Sequence, residues 1–315
     1  MVASRAVPAA RRLLDPIDHL LALDPGGRGI AAFFQPGGAL RAARALLPAR
    51  SVLIVTGFVV AEGMPETDGP PGAVVLGRAL RRLGARVRYT TDRVVLPVLR
   101  DALSALGEPA EVLPYPAGAG AAGAVLARER PTHLVAIERP GRGRAGDYLN
   151  ARGASVAAWN RPLDEMFCWS RRRVLASGRD RSARAGPRRP VTVGVGDGGN
   201  EIGMGRVRAR LAREGPLMAR IASIVPVDHL VVAGVSNWGA YGIVAQLGRL
   251  TGRSLLHTPA EERRLIDACV GAGAVDGITR RREPTVDGLD ADTHASVVAL
   301  LGLSWGDLPG RGERP

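Results

Sequence analysis

The chain alternates short β-branched apolar runs with segments whose apolar positions recur every three to four residues. SVLIVTGFVV (51–60) reads as a buried strand, and AVVLGRALRRLG (73–84) as an amphipathic helix that stops at Gly84. RVRYTT (86–91), EVLPY (111–115), THLVAIE (132–138), VTVGVG (191–196), IASIVP (221–226) and HLVVAGV (229–235) read as further strands. Helical spacing marks 94–107, interrupted near Pro97, and then 121–130, 204–212, 240–250, 259–273 and 293–303. Strands that alternate with helices predict a mostly parallel sheet covered by helices on both faces, a three-layer α/β/α fold. We expect one such domain over residues 1–315. Within it, SRRRVLASGRDRSARAGPRRP (170–190) loses its apolar period after Ala176 and reads as a flexible Arg-rich loop at about 177–190. The final LPGRGERP is expected to fray.

Ligands of such sheets bind beyond the carboxyl ends of the strands. The residues just past each run are therefore the ones to inspect. Glu66 and Asp68 follow the first strand in a Gly/Pro-rich loop, and Asp92 closes the second. Glu138 ends THLVAIE and is followed by Arg139 and Arg142; Asp197, Asn200 and Glu201 follow VTVGVG. HLVVAGV gives way to Ser236, Asn237 and Trp238, the last placed to wall a small pocket. Carboxylates brought into one cleft repel one another unless a proton, an arginine or a metal compensates. Mg²⁺ or Mn²⁺ suits an all-oxygen donor set, whereas zinc would want the Cys and His pairs that this chain does not offer. The competing reading of any single acid is a cap on the following helix.

Composition narrows the alternatives. The formal net charge of +13 would suggest nucleic acid, yet all 43 basic residues are Arg and there is no Lys, a compositional bias that weakens the charge as a signal. GVGDGG matches GxGxxG at Gly194, Gly196 and Gly199, but Asp197 stands where a pyrophosphate would approach. Two distant cysteines, Cys168 and Cys269, form no metal or disulfide pattern, and no apolar run is long enough to span a bilayer. A cytoplasmic protein without a membrane partner is the expectation. A homo-oligomer stays open. The five histidines are scattered; His229, beside Asp228, is the one most suited to proton transfer.

GVGDGGNEIGMG, with TGF, ETDGPPGA, TD, IERPGR, GDYLNARG and VAGVSNWGAYG, resembles the C-terminal domain of the D-glutamate cyclase family from about Asp15 to the last helices. The resemblance implies a single α/β domain and, in the characterised branch, conversion of D-glutamate to 5-oxo-D-proline with loss of water. That branch carries an additional N-terminal domain. GDYLNARG departs from the family's segment at Asp147, and the Arg-rich stretch resembles an insertion. Position by position, the resemblance points to Glu66, Asp68, Asp92, Glu138, Asp197, Asn200, Glu201, Ser236 and Asn237. We therefore expect Asp68, Asp197 and Glu201 to hold Mn²⁺ or Mg²⁺, and Glu66, Glu138 and Asp92 to serve catalysis. Arg139, Arg142, Asn200, Ser236, Asn237 and Trp238 are expected to bind a small acidic amino acid. A metal-dependent phosphate-ester hydrolase on the same scaffold is the main alternative. A non-catalytic binder of acidic ligands or nucleic acid through the Arg-rich loop is the second.

Overall fold

The computed structural model describes residues 15–168 and 189–305. Six parallel strands form one sheet: β1 (Ser51–Thr56), β4 (Arg86–Thr91), β5 (Val112–Pro114), β6 (His133–Ile137), β7 (Val191–Gly196) and β8 (His229–Val232). Their spatial order is β5-β4-β1-β6-β7-β8, so the chain leaves β1 in one direction and resumes from β6 in the other. This is a doubly wound three-layer α/β/α arrangement, as the alternating pattern predicts. The register is regular, with Thr56 beside Ile137 and Ile137 beside Val195, which brings the C-terminal ends of β1, β6 and β7 level. Strands buried on both faces read as unbroken apolar runs, and Val52–Val55 and Leu134–Ile137 are all fully buried.

Helices among the described residues include α1 (Pro16–Leu21), α2 (Gly38–Leu46), α3 (Pro70–Arg82), α4 (Leu96–Ala105), α5 (Ala121–Glu129), α6 (Arg208–Leu211), α7 (Pro216–Ile221), α8 (Ser236–Thr251), α9 (Pro259–Gly271) and α10 (Ala291–Trp305). α8 packs on α2, α3 and α10, and α4 packs on α3 and α9.

Five local readings change. The first apolar run does not continue as one strand: it breaks at Gly57, φ 95°, and resumes as a hairpin of β2 (Val59–Ala61) and β3 (Met64–Pro65). α3 begins earlier than its apolar period suggests, because Pro70 and Pro71 fit a first helical turn, where no N–H is needed. Pro97 likewise lies in the first turn of α4 rather than interrupting it. IASIVP is not a strand. α7 ends within it, and its backbone instead serves the loops around the sheet end, Ser223 N donating to Gly199 O at 3.0 Å and Ile224 N to Arg142 O at 2.9 Å. The predicted helix at 204–212 reduces to the single turn of α6. Residues 169–188 and 306–315, which carry most of the Arg-rich loop and the C-terminal tail, lie outside the described residues.

Gly69 shows how tightly the loop after β3 is laid over the switch between β1 and β6. Its φ is 104°, and a Cβ there would sit 2.8 Å from Thr56 Oγ1 and 2.9 Å from the Glu138 Cβ. Gly69→Ala is expected to cost on the order of 1–3 kcal/mol from the backbone conformation alone. Urea unfolding measures it, and an unchanged midpoint would show that the loop has room to move.

Candidate functional site

The pocket opens at the switch point, over the ends of β1, β6 and β7. Counting its open mouth it holds about 450 Å³ of space, toward the small end of the range for small-molecule sites. Phe58 and Val60 of the β2 region form one wall, Asn150 and Ala151 a second, and Gly277 and Ile278 a third. Charged side chains supply the rest: Glu66, Glu138, Asp197, Glu201, Asp287 and Arg28.

Asp68, Glu138 and Asp197 are all buried, and each offers an oxygen within 4.8 Å of the others. Asp68 is fixed by backbone donors: Gly69 N (3.0 Å) and Asn237 N (2.8 Å) reach Oδ1, and Ser236 N (3.0 Å) reaches Oδ2. It thus caps the N-terminus of α8 from outside the helix while facing the cluster, so the capping and the site readings hold together. Glu138 follows β6 with φ 42°, a left-handed conformation uncommon for a residue with a side chain, and Ser236 Oγ donates to its Oε2 at 2.6 Å. Such strain persists where surrounding structure enforces it, typically at functional sites.

Burial and like charge set the titration of the cluster. Burial, then the charges of Asp287 and Asp68, hold the Glu66 carboxyl well above its ordinary range. Asp68 is raised in the same way by burial, Asp287 and Asp197, and Glu138 by burial, Asp197 and Glu201. Asp197 is pushed up to about 6 by burial, against the pull of Arg28. Asp287 is pushed up to about 7, again by burial and again against Arg28.

Neither Arg28 nor Asp287 was among the expected site residues. Asp287 occupies the tip of a hairpin joining β9 (Thr285–Val286) to β10 (Leu289–Asp290), with φ 54° followed by Gly288 at 79°. Two positive φ values in succession are what an Asp-Gly hairpin turn requires. Its side chain is 8% exposed and pairs with Arg28 Nη2 at 2.8 Å; Arg28 Nη1 pairs closely with Asp197. Arg28 comes from the loop after α1, where the Asp24 carboxylate accepts from Arg28 N (2.9 Å), Gly29 N (2.8 Å) and Ile30 N (3.3 Å).

The other expected residues are distributed as follows. Glu66 lines the pocket, just outside the triad, and no donor reaches its buried Oε1. Glu201 faces its own loop: Oε1 accepts from Gly198 N at 2.6 Å and Oε2 from Gly199 N at 2.9 Å, which shapes the turn holding Asp197. Asn200 lines the pocket and donates Nδ2 to Leu149 O at 2.7 Å, tying down the 148–151 wall. Asn237 Oδ1 accepts from Gly69 N (3.0 Å) and Gly72 N (2.8 Å), locking the Glu66–Asp68 loop onto α8. Asp92 and Arg139 are not brought to the cluster. They pair closely with each other, and Arg139, fully buried, also donates to Gly57 O (2.8 Å) and Arg161 O (2.6 Å). Arg142 pairs with Asp164 at 2.6 Å. Trp238 does not line this pocket: it is 1% exposed, and its Nε1 donates to His294 Nδ1 at 2.9 Å. His229 opens β8, at the opposite end of the strands from the site.

The donor set tests whether a metal fits. Three buried carboxylates converge, no histidine or cysteine lines the pocket among the described residues, and buried Glu66 Oε1 and Asp287 Oδ2 have no donor. Hard, oxygen-seeking cations match this set, and one arginine compensates it only in part.

Fold and site together define a doubly wound α/β protein with a buried acidic cluster beside a pocket at its topological switch point. The family model described as "D-glutamate cyclase-like, C-terminal" matches residues 17–302. The chain is also 35% identical over 260 residues to human mitochondrial D-glutamate cyclase, a match covering 78% of this chain. It therefore belongs to the D-glutamate cyclase-like C-terminal family. The match spans 40% of the human protein's length. No helix among the described residues is long and apolar enough to cross a membrane.

Proposed function

We propose that the chain is a D-glutamate cyclase-like hydro-lyase that converts D-glutamate to 5-oxo-D-proline and water. The observation that carries the reading is the buried Asp68–Glu138–Asp197 triad at the switch point of a chain in this family. Those three side chains would hold Mn²⁺ or Mg²⁺, which supplies Lewis acidity toward a substrate carboxylate.

The protein's own groups do the rest. The Phe58 and Val60 wall and the 148–151 segment enclose the substrate and limit water around it. Glu66, raised in pKa and without a donor at Oε1, is placed to move protons. The substrate ammonium carries three protons: one stays on the lactam nitrogen as the new C–N bond to the carbon of the γ-carboxylate (Cδ) forms, and two depart with the oxygen whose bond to that same carbon breaks. Glu66 carries those two in turn from nitrogen to the leaving oxygen. Backbone donors to Asp68 and the Ser236 hydroxyl on Glu138 keep the triad from collapsing into alternative hydrogen bonds.

Glu66→Gln is expected to lower kcat by about 10²–10⁴-fold, the scale of a lost proton-transfer group, while leaving Mn²⁺ affinity within about threefold. Retained turnover would remove Glu66 from the reaction. The reading itself is tested by following 5-oxo-D-proline formation by the purified chain beside phosphate release from a model ester. Lactam without phosphate supports it; phosphate without lactam favours the esterase. We infer a cytoplasmic setting from a sequence whose two cysteines stand far apart in no disulfide pattern. Fractionation that recovers the chain from an organelle would contradict it.

A further inference from the structure

The cyclase reading leaves one requirement unmet. Glutamate brings two carboxylates into a pocket that already contains several, and the arginines expected to receive the second one are committed elsewhere. Arg139 is fully buried on Gly57 O, Arg161 O and Asp92, and Arg142 is held by Asp164. Among the described residues lining the pocket, Arg28 is the one cation.

Its placement is built rather than incidental. Three backbone donors to Asp24 fix the loop, and Gly234 N donates to Leu21 O at 3.0 Å just beyond β8. A Cβ at Gly234 would lie 1.8 Å from Leu23 O, so the segment leading to Arg28 is pressed against the strand-end backbone. The Arg28 side chain is 18% exposed and its fork is divided, one edge on Asp197 of the triad and the other on Asp287 of the hairpin tip. A guanidinium suits this role because its planar fork can serve two carboxylates along different edges. Asp197 is the shared partner: it can neutralise Arg28 or contribute to a cation site, and each use weakens the other.

Resting on that reading, we propose that Arg28 determines specificity for a dicarboxylate amino acid. When Asp197 coordinates a divalent cation, the Nη1 edge of Arg28 is released and binds the substrate α-carboxylate, while Asp287 keeps the Nη2 edge and so orients the guanidinium. Asp287 is a positioning residue in this scheme.

Isothermal titration of the full chain tests it in two arms. Mn²⁺ alone is titrated into the wild type, R28Q and R28K. D-glutamate and 4-aminobutyrate, which has the same amine and terminal carboxylate but no α-carboxylate, are then titrated with Mn²⁺ present. R28Q is expected to bind Mn²⁺ at least about fivefold more tightly, because its competitor for Asp197 is gone. It should lose about 10–100-fold in D-glutamate affinity, the range for a charge-assisted pair, with 4-aminobutyrate nearly unchanged. R28K keeps the charge without the fork, so its Mn²⁺ affinity should stay near wild type while discrimination between the two ligands still falls. R28K also decides the matter should R28Q fold poorly. Wild-type discrimination retained in the variants overturns the proposal. A wild type that binds no D-glutamate overturns the cyclase reading instead, and Mn²⁺ affinity unchanged by R28Q then overturns the role of Arg28 as well.

Discussion

Asp197→Asn is expected to abolish lactam formation and to weaken Mn²⁺ binding by about two orders of magnitude or more, without unfolding the protein. Asp197 is the triad member in contact with the pocket's arginine, and ligand charge sets the affinity of hard cations over several decades. The fold should tolerate the change. The amide has nearly the same shape, it removes a charge from a crowded buried cluster, and Arg28 keeps Asp287 as a partner. A thermal melt is expected to place the variant at or above the wild type, and activity should fall below about 1% of wild type, on the scale of losing one preorganised electrostatic group. Unchanged Mn²⁺ affinity would remove Asp197 from the metal site. This variant and R28Q should move metal affinity in opposite directions.

The second large effect is a stability that falls with rising pH until a divalent cation is supplied. Asp197, at about 6, and Asp287, at about 7, lie above the ordinary value of 3.8, and Glu66, Asp68 and Glu138 are raised as well. The folded protein therefore retains protons that the unfolded chain has already released. Stability must decline across the window between the unfolded and folded values, by about 1.4 kcal/mol per pH unit for each proton so held. His133 and His229, lowered by burial, offset part of the decline below about 6.5, while Asp197 and Asp287 carry it up to about 7, so the metal-free protein should be less stable at pH 7 than at pH 5. Groups held low, such as Glu261 at about 2, add stability that is lost only in acid and leave this window untouched. Melting in EDTA should show the fall, and Mn²⁺ should recover most of it at pH 8 and little at pH 5.5. A metal-free melting temperature that rises from pH 5 to pH 7 would contradict the titration of the cluster.

Much of this site could be read from the chain because of one rule, that parallel sheets place their chemistry beyond the strands' carboxyl ends. Glu66, Asp68, Glu138 and Asp197 follow from it and meet at one pocket or triad. Pairing preferences were not legible. Asp92 and Arg139 both sit at strand ends, and only their proximity shows that each neutralises the other. Glu201 has the right spacing, yet its carboxylate turns back to N–H groups of its own loop, a choice that residue type does not encode.

Arg28 and Asp287 escaped because neither follows a strand of the main sheet. Asp287 did leave a signal: the Asp-Gly pair between apolar positions in TVDGL marks a tight hairpin, and its tip is what enters the pocket. Arg28 left none, since one arginine among 43 in a glycine-rich loop is indistinguishable from a solvated side chain. The break at Gly57 and the irregular IASIVP share a cause. Apolar β-branched residues also line the loops that wrap a buried site, so burial alone mimics a strand.

In the proposed reaction, strand-end carboxylates would hold a divalent metal in the centre that closes glutamate into a lactam. Chelator-stripped protein, resupplied separately with Mn²⁺, Mg²⁺ and Zn²⁺ and assayed on D- and L-glutamate, tests it most directly. We expect no turnover in the stripped protein and recovery with Mn²⁺ or Mg²⁺, with 5-oxo-D-proline formed from the D isomer. Full activity after complete metal removal, or no lactam with any of the three metals, would contradict it.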